Sequence, residues 1–109
     1  MNKFEAVILY NPDLSNLIIT KEEEAFNSTI EKSSGIIINK EEWGLKNLSY
    51  KINNYKKAFY KYYQIEINGT QVQDLKKNLT QNEKVLRHLF VKVNEHQTLP
   101  TKMVNNEEK

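Results

Sequence analysis

The sequence predicts one small α+β domain, and three observations carry the prediction. Apolar segments of strand character lie near both ends of the chain, a segment rich in aromatic and β-branched residues occupies its middle, and two stretches with helical spacing separate them. At 109 residues the chain can bury one modest core and is too short for two independent ones.

Lys3 to Tyr10 begins in alternation and becomes nearly continuous in apolar residues, as a central strand does. Asn11-Pro12-Asp13 stops it, because proline removes a ladder donor and Asn and Asp form side-chain turns. A helix follows from Ser15 or Thr20 to about Lys32. Thr20 and Glu23 are spaced as a capping box, and Ile19, Phe26 and Ile30 share one face. Ser33-Ser34-Gly35 supplies its stop, with glycine in the left-handed cap.

Ile36-Ile37-Ile38 opens a second strand running through Glu42. Trp43-Gly44 marks a bend, and Leu45 to Ile52 continues as extended chain. Asn53 to Lys57 reads as the polar connection of a hairpin whose far arm is Ala58 to Ile67. Asn68-Gly69 ends that arm, and Val72, Leu75, Lys76 and Leu79 recur at helical spacing. Val85 to Val93 returns to strand. The order strand, helix, strand, strand, helix, strand is the split βαβ arrangement of the ferredoxin-like fold: a four-stranded antiparallel sheet with two helices on one face. The expected domain is 1–96, with 97–109 a flexible polar tail.

Composition removes several chemistries. No cysteine is present, so disulfides, thiolate metal sites and cysteine nucleophiles are excluded. The N-terminal stretch carries Glu5 inside its apolar run, unlike a secretory signal, and no segment is long enough to cross a bilayer; a soluble intracellular protein is expected. His88 and His96 have no sequence-local partners that make a triad. Glu22-Glu23-Glu24 and Glu41-Glu42 lack the alternating ligands of a calcium loop, and three glycines leave no phosphate-cradling loop. No enzyme, cofactor, metal or small-molecule substrate is expected.

Two basic groups are more informative, since a net charge of +2 announces no ligand by itself. Tyr50, Lys51, Tyr55, Lys56, Lys57, Phe59, Tyr60, Lys61 and Tyr62 interleave aromatics with lysines around the hairpin, the pattern of sheet-face RNA binders. The same residues suit ordinary packing and edge protection. Lys84, Arg87, His88 and Lys92 surround the last strand, which in this fold lies beside the first and so near Lys3. Arg87, the one arginine, carries forked donors suited to phosphate or guanine.

Phe4-Glu5 opening an apolar strand, Asn11-Pro12-Asp13, the run Glu42-Trp43-Gly44-Leu45-Lys46-Asn47-Leu48-Ser49-Tyr50-Lys51-Ile52, then Lys57-Ala58-Phe59-Tyr60 and Asn82-Glu83-Lys84-Val85-Leu86-Arg87 together resemble the bacterial ribosomal protein S6 family. The resemblance covers roughly Lys3 to Val93. It departs at Lys51, commonly proline in relatives, and at Ser49, commonly alanine; lysine also stands where relatives use more arginine. The resemblance implies a protein of the small ribosomal subunit, in the cytoplasm or in an organelle of bacterial ancestry. Its expected partners are the central platform region of small-subunit ribosomal RNA and the neighbouring ribosomal protein S18, and it should be monomeric when free. Within that frame Asn2, Lys3, Lys84, Arg87, His88 and Lys92 are the first candidates for RNA, Lys56 and Lys57 the second. Tyr50, Tyr60 and Tyr62 are candidates for the protein partner. The competing reading from fold alone is a protein-interaction or ligand-sensing module.

Overall fold

The computed structural model describes residues 2–96. The expected polar tail, 97–109, lies outside the described residues. Six elements follow in order: β1 (Asn2–Tyr10), α1 (Asn16–Lys32), β2 (Ile36–Ile52), β3 (Tyr55–Ile67), α2 (Gly69–Gln81) and β4 (Val85–Val93). The strands form one sheet in the order β2-β3-β1-β4, every pair antiparallel, so β1 is central as its apolar run predicts.

Strand alternation sorts the side chains into two faces. Phe4, Ala6, Ile8 and Tyr10 of β1 and Tyr63, Ile65 and Ile67 of β3 turn toward the helices. There they meet Phe26 and Ile30 of α1 and Val72, Leu75 and Leu79 of α2 in one buried core. Among the described residues no helix covers the opposite face. Lys61 also points to the helix side and is 5% exposed; its Nζ lies 2.7 Å from Glu23 Oε1 on α1 and 3.0 Å from Glu42 Oε1 on β2. A buried ammonium is tolerable only with such partners, and these two carboxylates fasten α1 to the hairpin.

The boundaries differ from the sequence reading at four places, each with a local cause. Helix α1 is capped by Ser15, whose Oγ accepts from Ile18 N at 3.3 Å. Thr20 lies inside the helix, its hydroxyl donating to Asn16 O at 2.9 Å, so the Thr20–Glu23 capping box does not form. At the other end Ser34, not Gly35, takes the left-handed position, with φ 61°. Gly35 N then donates to Ile30 O and Ser34 N to Glu31 O, closing a Schellman motif. Gly35 is required for space: a Cβ there would stand 2.9 Å from Ile67 Cγ1 and 3.1 Å from Ile30 Cγ2.

The hairpin turn is only Asn53-Asn54, both at positive φ (50° and 70°), so Tyr55, Lys56 and Lys57 belong to β3 rather than to a connection. Two left-handed residues give the tight turn whose twist matches the strands. Finally, the bend expected at Trp43-Gly44 is a bulge, and the strand expected to run through Glu42 continues across it to Ile52. Glu42 pairs Lys61 and Gly44, at φ 80°, pairs Tyr60, leaving Trp43 as the extra residue.

Candidate nucleic-acid and partner interface

The uncovered sheet face is built from β1 residues Lys3, Glu5, Val7 and Leu9, from Tyr60, Tyr62 and Gln64 of β3, and from Arg87, Leu89 and Val91 of β4, as the pairings Val7↔Tyr62, Val7↔Leu89, Leu9↔Tyr60 and Leu9↔Arg87 require. The bulge turns Trp43 onto this face. Its ring stacks on Tyr62 with centroids 5.1 Å apart and 11° between planes, and lies 6.4 Å from Tyr60. Trp43 Nε1 donates to Glu41 Oε1 at 2.9 Å, and Tyr62 Oη accepts from Gln64 Nε2 at 3.1 Å. Tyr62 is thereby covered, 2% exposed, and supports the aromatic stack from beneath; it has almost no surface to offer a partner in this state.

Beyond the bulge the hairpin arms no longer match in length. After Asn47↔Lys57 the next pair is Ile52↔Tyr55, so Leu48 to Lys51 have only Lys56 opposite them. The surplus chain comes to lie beside the open face. Leu48, Tyr50 and Ile52 line one wall of a cavity of about 280 Å³, with Val7, Leu9, Tyr60, Arg87 and Leu89 lining the rest. Tyr50 is 68% exposed at its mouth and Leu89 57%. Of the three tyrosines singled out from sequence, Tyr50 and Tyr60 meet here.

The basic candidates divide between ends and faces. Asn11 gathers one end: its N–H donates to Lys84 O at 2.9 Å and its Nδ2 to Tyr55 Oη at 3.0 Å, tying the start of β4 to the hairpin. Lys84 and Arg87 thus share an end with Lys56 and Lys57, all four exposed. Lys3, paired with Val93, stands at the opposite end of the sheet beside Asn2 and Lys92; the six residue steps from Lys3 to Leu9, which pairs Arg87, separate the two by about 20 Å. Alternation also puts Lys3 and Arg87 on the open face, with His88 and Lys92 on the helix side, because His88 pairs Ile8 and Lys92 pairs Phe4. His88 packs against α2, its Nε2 3.1 Å from Thr80 Oγ1 and its ring edge-on to Phe90. Burial, and secondarily Lys76, holds its pKa below the ordinary histidine value.

Among the described residues no group of three or more His, Asp or Glu converges on a point that could hold a metal, and no helix is long and apolar enough to cross a membrane. Trp43 and Asn11, which organise this surface, belong to the segments that carry the family resemblance but were not singled out as site residues. The pairing of a bulky residue with glycine at Trp43-Gly44 was the one signal that a bulge would re-aim a side chain there.

The class defined by these features is a ferredoxin-like α+β sandwich in which the described residues leave one sheet face without a helix, with stacked aromatics upon it and basic residues at both ends. The family profile for "Ribosomal protein S6" matches residues 3–92. The chain is 32% identical over 107 residues to the small ribosomal subunit protein bS6 of Rickettsia felis, covering 98% of this chain and 88% of that one. It is 33% identical to the bS6 of Zymomonas mobilis, covering 95% and 84%. Its fold matches the crystal structure of 30S ribosomal protein S6 from Thermotoga maritima with a TM-score of 0.80 at 17% identity, over 84% of this chain and 87% of that one. The chain belongs to the ribosomal protein S6 family.

Proposed function

We propose that this protein acts as an architectural component of the small ribosomal subunit, binding the platform region of the ribosomal RNA together with ribosomal protein S18. The observation that carries the reading is the family match across residues 3–92, which spans both helices and nearly the whole sheet. Membership of that family makes the chain a ribosomal protein of the cytoplasmic small subunit and aligns it with structural rather than catalytic proteins.

The physical features support a division of labour. Lysines 56, 57 and 84 with Arg87 offer a cluster of donors at one end of the sheet, while Asn2, Lys3 and Lys92 offer a second at the other. Each set can neutralise phosphates, and two separated contacts fix orientation better than one. His88, packed on α2, supports the strand from which Arg87 projects. Between the ends, Tyr50, Tyr60 and Leu89 surround the cavity with apolar area and polar tips, the chemistry of a protein anchor site, with Tyr62 beneath holding Trp43 in place.

The test is binding to a platform-domain RNA fragment with and without S18, alongside sedimentation of native ribosomes at moderate and high salt. Salt-sensitive RNA binding strengthened by S18, with the chain sedimenting in the small subunit, is the expected result. Absence from small subunits together with tight self-association would overturn it in favour of an interaction module.

A further inference from the structure

The connection from α2 to β4 is Asn82, Glu83 and Lys84, and none of the three belongs to the sheet. Hydrogen bonds fix its course instead. Val85 N donates to Asn82 O at 3.1 Å, closing a turn, and Lys84 N donates to Asn82 Oδ1 at 3.0 Å within it. Lys84 O accepts from Asn11 N at 2.9 Å. Both main-chain polar groups of Lys84 are thus held, while its side chain stands exposed at the basic end of the sheet. One link reaches further: Asn82 Nδ2 donates to Glu22 Oε1 on α1 at 2.6 Å, and both side chains are half-buried. A carboxylate only accepts and a backbone N–H only donates, so the two partners allow a single orientation of the Asn82 amide. Glu22 takes its NH2 group and leaves Oδ1 for Lys84 N.

We propose that Glu22 and Asn82 are positioning residues for Lys84, holding its turn in the shape in which the ammonium meets an RNA phosphate. Their role rests on the RNA-binding reading. Arg87 and Lys57 project from paired strand positions and are placed by the sheet, whereas Lys84 sits in a turn that only these side chains and Asn11 N–H fasten. A turn ordered in advance loses less entropy when the phosphate arrives, so the contact is stronger than a lysine on a loose loop would make. An acidic residue of the helix layer thereby strengthens binding to a polyanion. That sign is opposite to the one its charge alone gives, since removing a carboxylate beside the basic end should favour RNA.

The test compares Glu22→Ala with Glu22→Gln in the full-length chain. Both remove the same charge, but glutamine keeps an oxygen that accepts from Asn82 Nδ2. Binding to a platform RNA fragment is measured against salt in each, with and without Lys84→Ala. Glu22→Ala should bind about three- to tenfold more weakly than Glu22→Gln. Lys84→Ala should lower the slope of log affinity against log salt by about 1 in Glu22→Gln and by clearly less in Glu22→Ala. Lys3→Ala, at the far end of the sheet, should lower the slope equally in both, which separates the effect from general unfolding. In the free protein the amide order parameters of Glu83 and Lys84 should fall in Glu22→Ala and hold in Glu22→Gln. Equal affinities of the two variants, an undiminished Lys84→Ala effect in Glu22→Ala, or unchanged order parameters would each overturn the positioning role and leave the RNA-binding reading standing. A wild-type chain that binds no platform RNA would overturn that reading, and the positioning role with it.

Discussion

Single residues carry much of the specificity of this fold, and Ser34 is the clearest case. A residue with a Cβ in the left-handed region meets the following carbonyl, and only the Schellman hydrogen bonds around it hold it there. Ser34→Gly should raise stability by about 1 kcal/mol, read as a shifted urea midpoint with unchanged slope. Gly35→Ala should do the reverse, lowering stability by about 1–3 kcal/mol as Ile67 and Ile30 are forced apart. His88 contributes a pH dependence of known sign. Its pKa is lower folded than unfolded, so the unfolded chain takes up a proton that the folded chain refuses. The associated stability is present above the ordinary value near 6.5 and falls as pH drops through it. Urea midpoints measured from neutral to mildly acid pH should decline, and His88→Gln should flatten the decline. Tyr10 and Tyr63 stand at the other extreme: burial raises both well above the ordinary phenol, reinforced by Glu22 and Glu23 at Tyr10 and by Tyr10 itself at Tyr63. Their ultraviolet ionisation should appear only together with alkaline unfolding.

At the scale of elements the hairpin decides the shape of the open face. Its bulge places Trp43 on Tyr62, and its surplus residues raise Leu48 to Ile52 beside the sheet. Trp43→Ala removes the largest aromatic of the stack and should cost about 3 kcal/mol. Its second effect is more diagnostic: Tyr60, at the cavity, loses the ring packed beside it, so the proposed binding to S18 should weaken even under conditions where the fold survives. The elements also show what could be read from sequence. Helix and strand identities followed from period and composition, because Ile19, Phe26, Ile30, Val72, Leu75 and Leu79 recur as a helix demands and all are buried. Boundaries followed less well. A polar run such as Asn53 to Lys57 looks alike whether two residues turn or five, and only the left-handed preference of Asn marks the true pair. The open face was harder still. Arg87 and His88 are neighbours in sequence but point to opposite faces, and which face each takes depends on pairing with β1, a long-range fact absent from local pattern.

For the molecule as a whole, charge is distributed rather than large. Arg87 and Lys84 lie at the end that Asn11 ties to the hairpin, whereas Lys3 and Lys92 lie about 20 Å away at the other. Arg87→Ala should reduce the slope of log affinity against log salt for the platform RNA by about 1, and Lys84→Ala by a similar amount. Lys3→Ala should act additively with either, since the ends share no contact. Equal salt slopes in wild type and Arg87→Ala would remove Arg87 from the RNA surface.

The strand order has a consequence for biosynthesis. The first strand to leave the peptidyl-transferase centre is an inner strand, and its two neighbours are made much later, β4 last of all. A nascent chain carrying β1 and α1 therefore exposes an apolar strand with both edges unpaired until β3 arrives, and its sheet is complete only after Val93 has cleared the tunnel. Such a chain cannot pair its first strand as that strand emerges, which leaves stalled fragments prone to pair with one another.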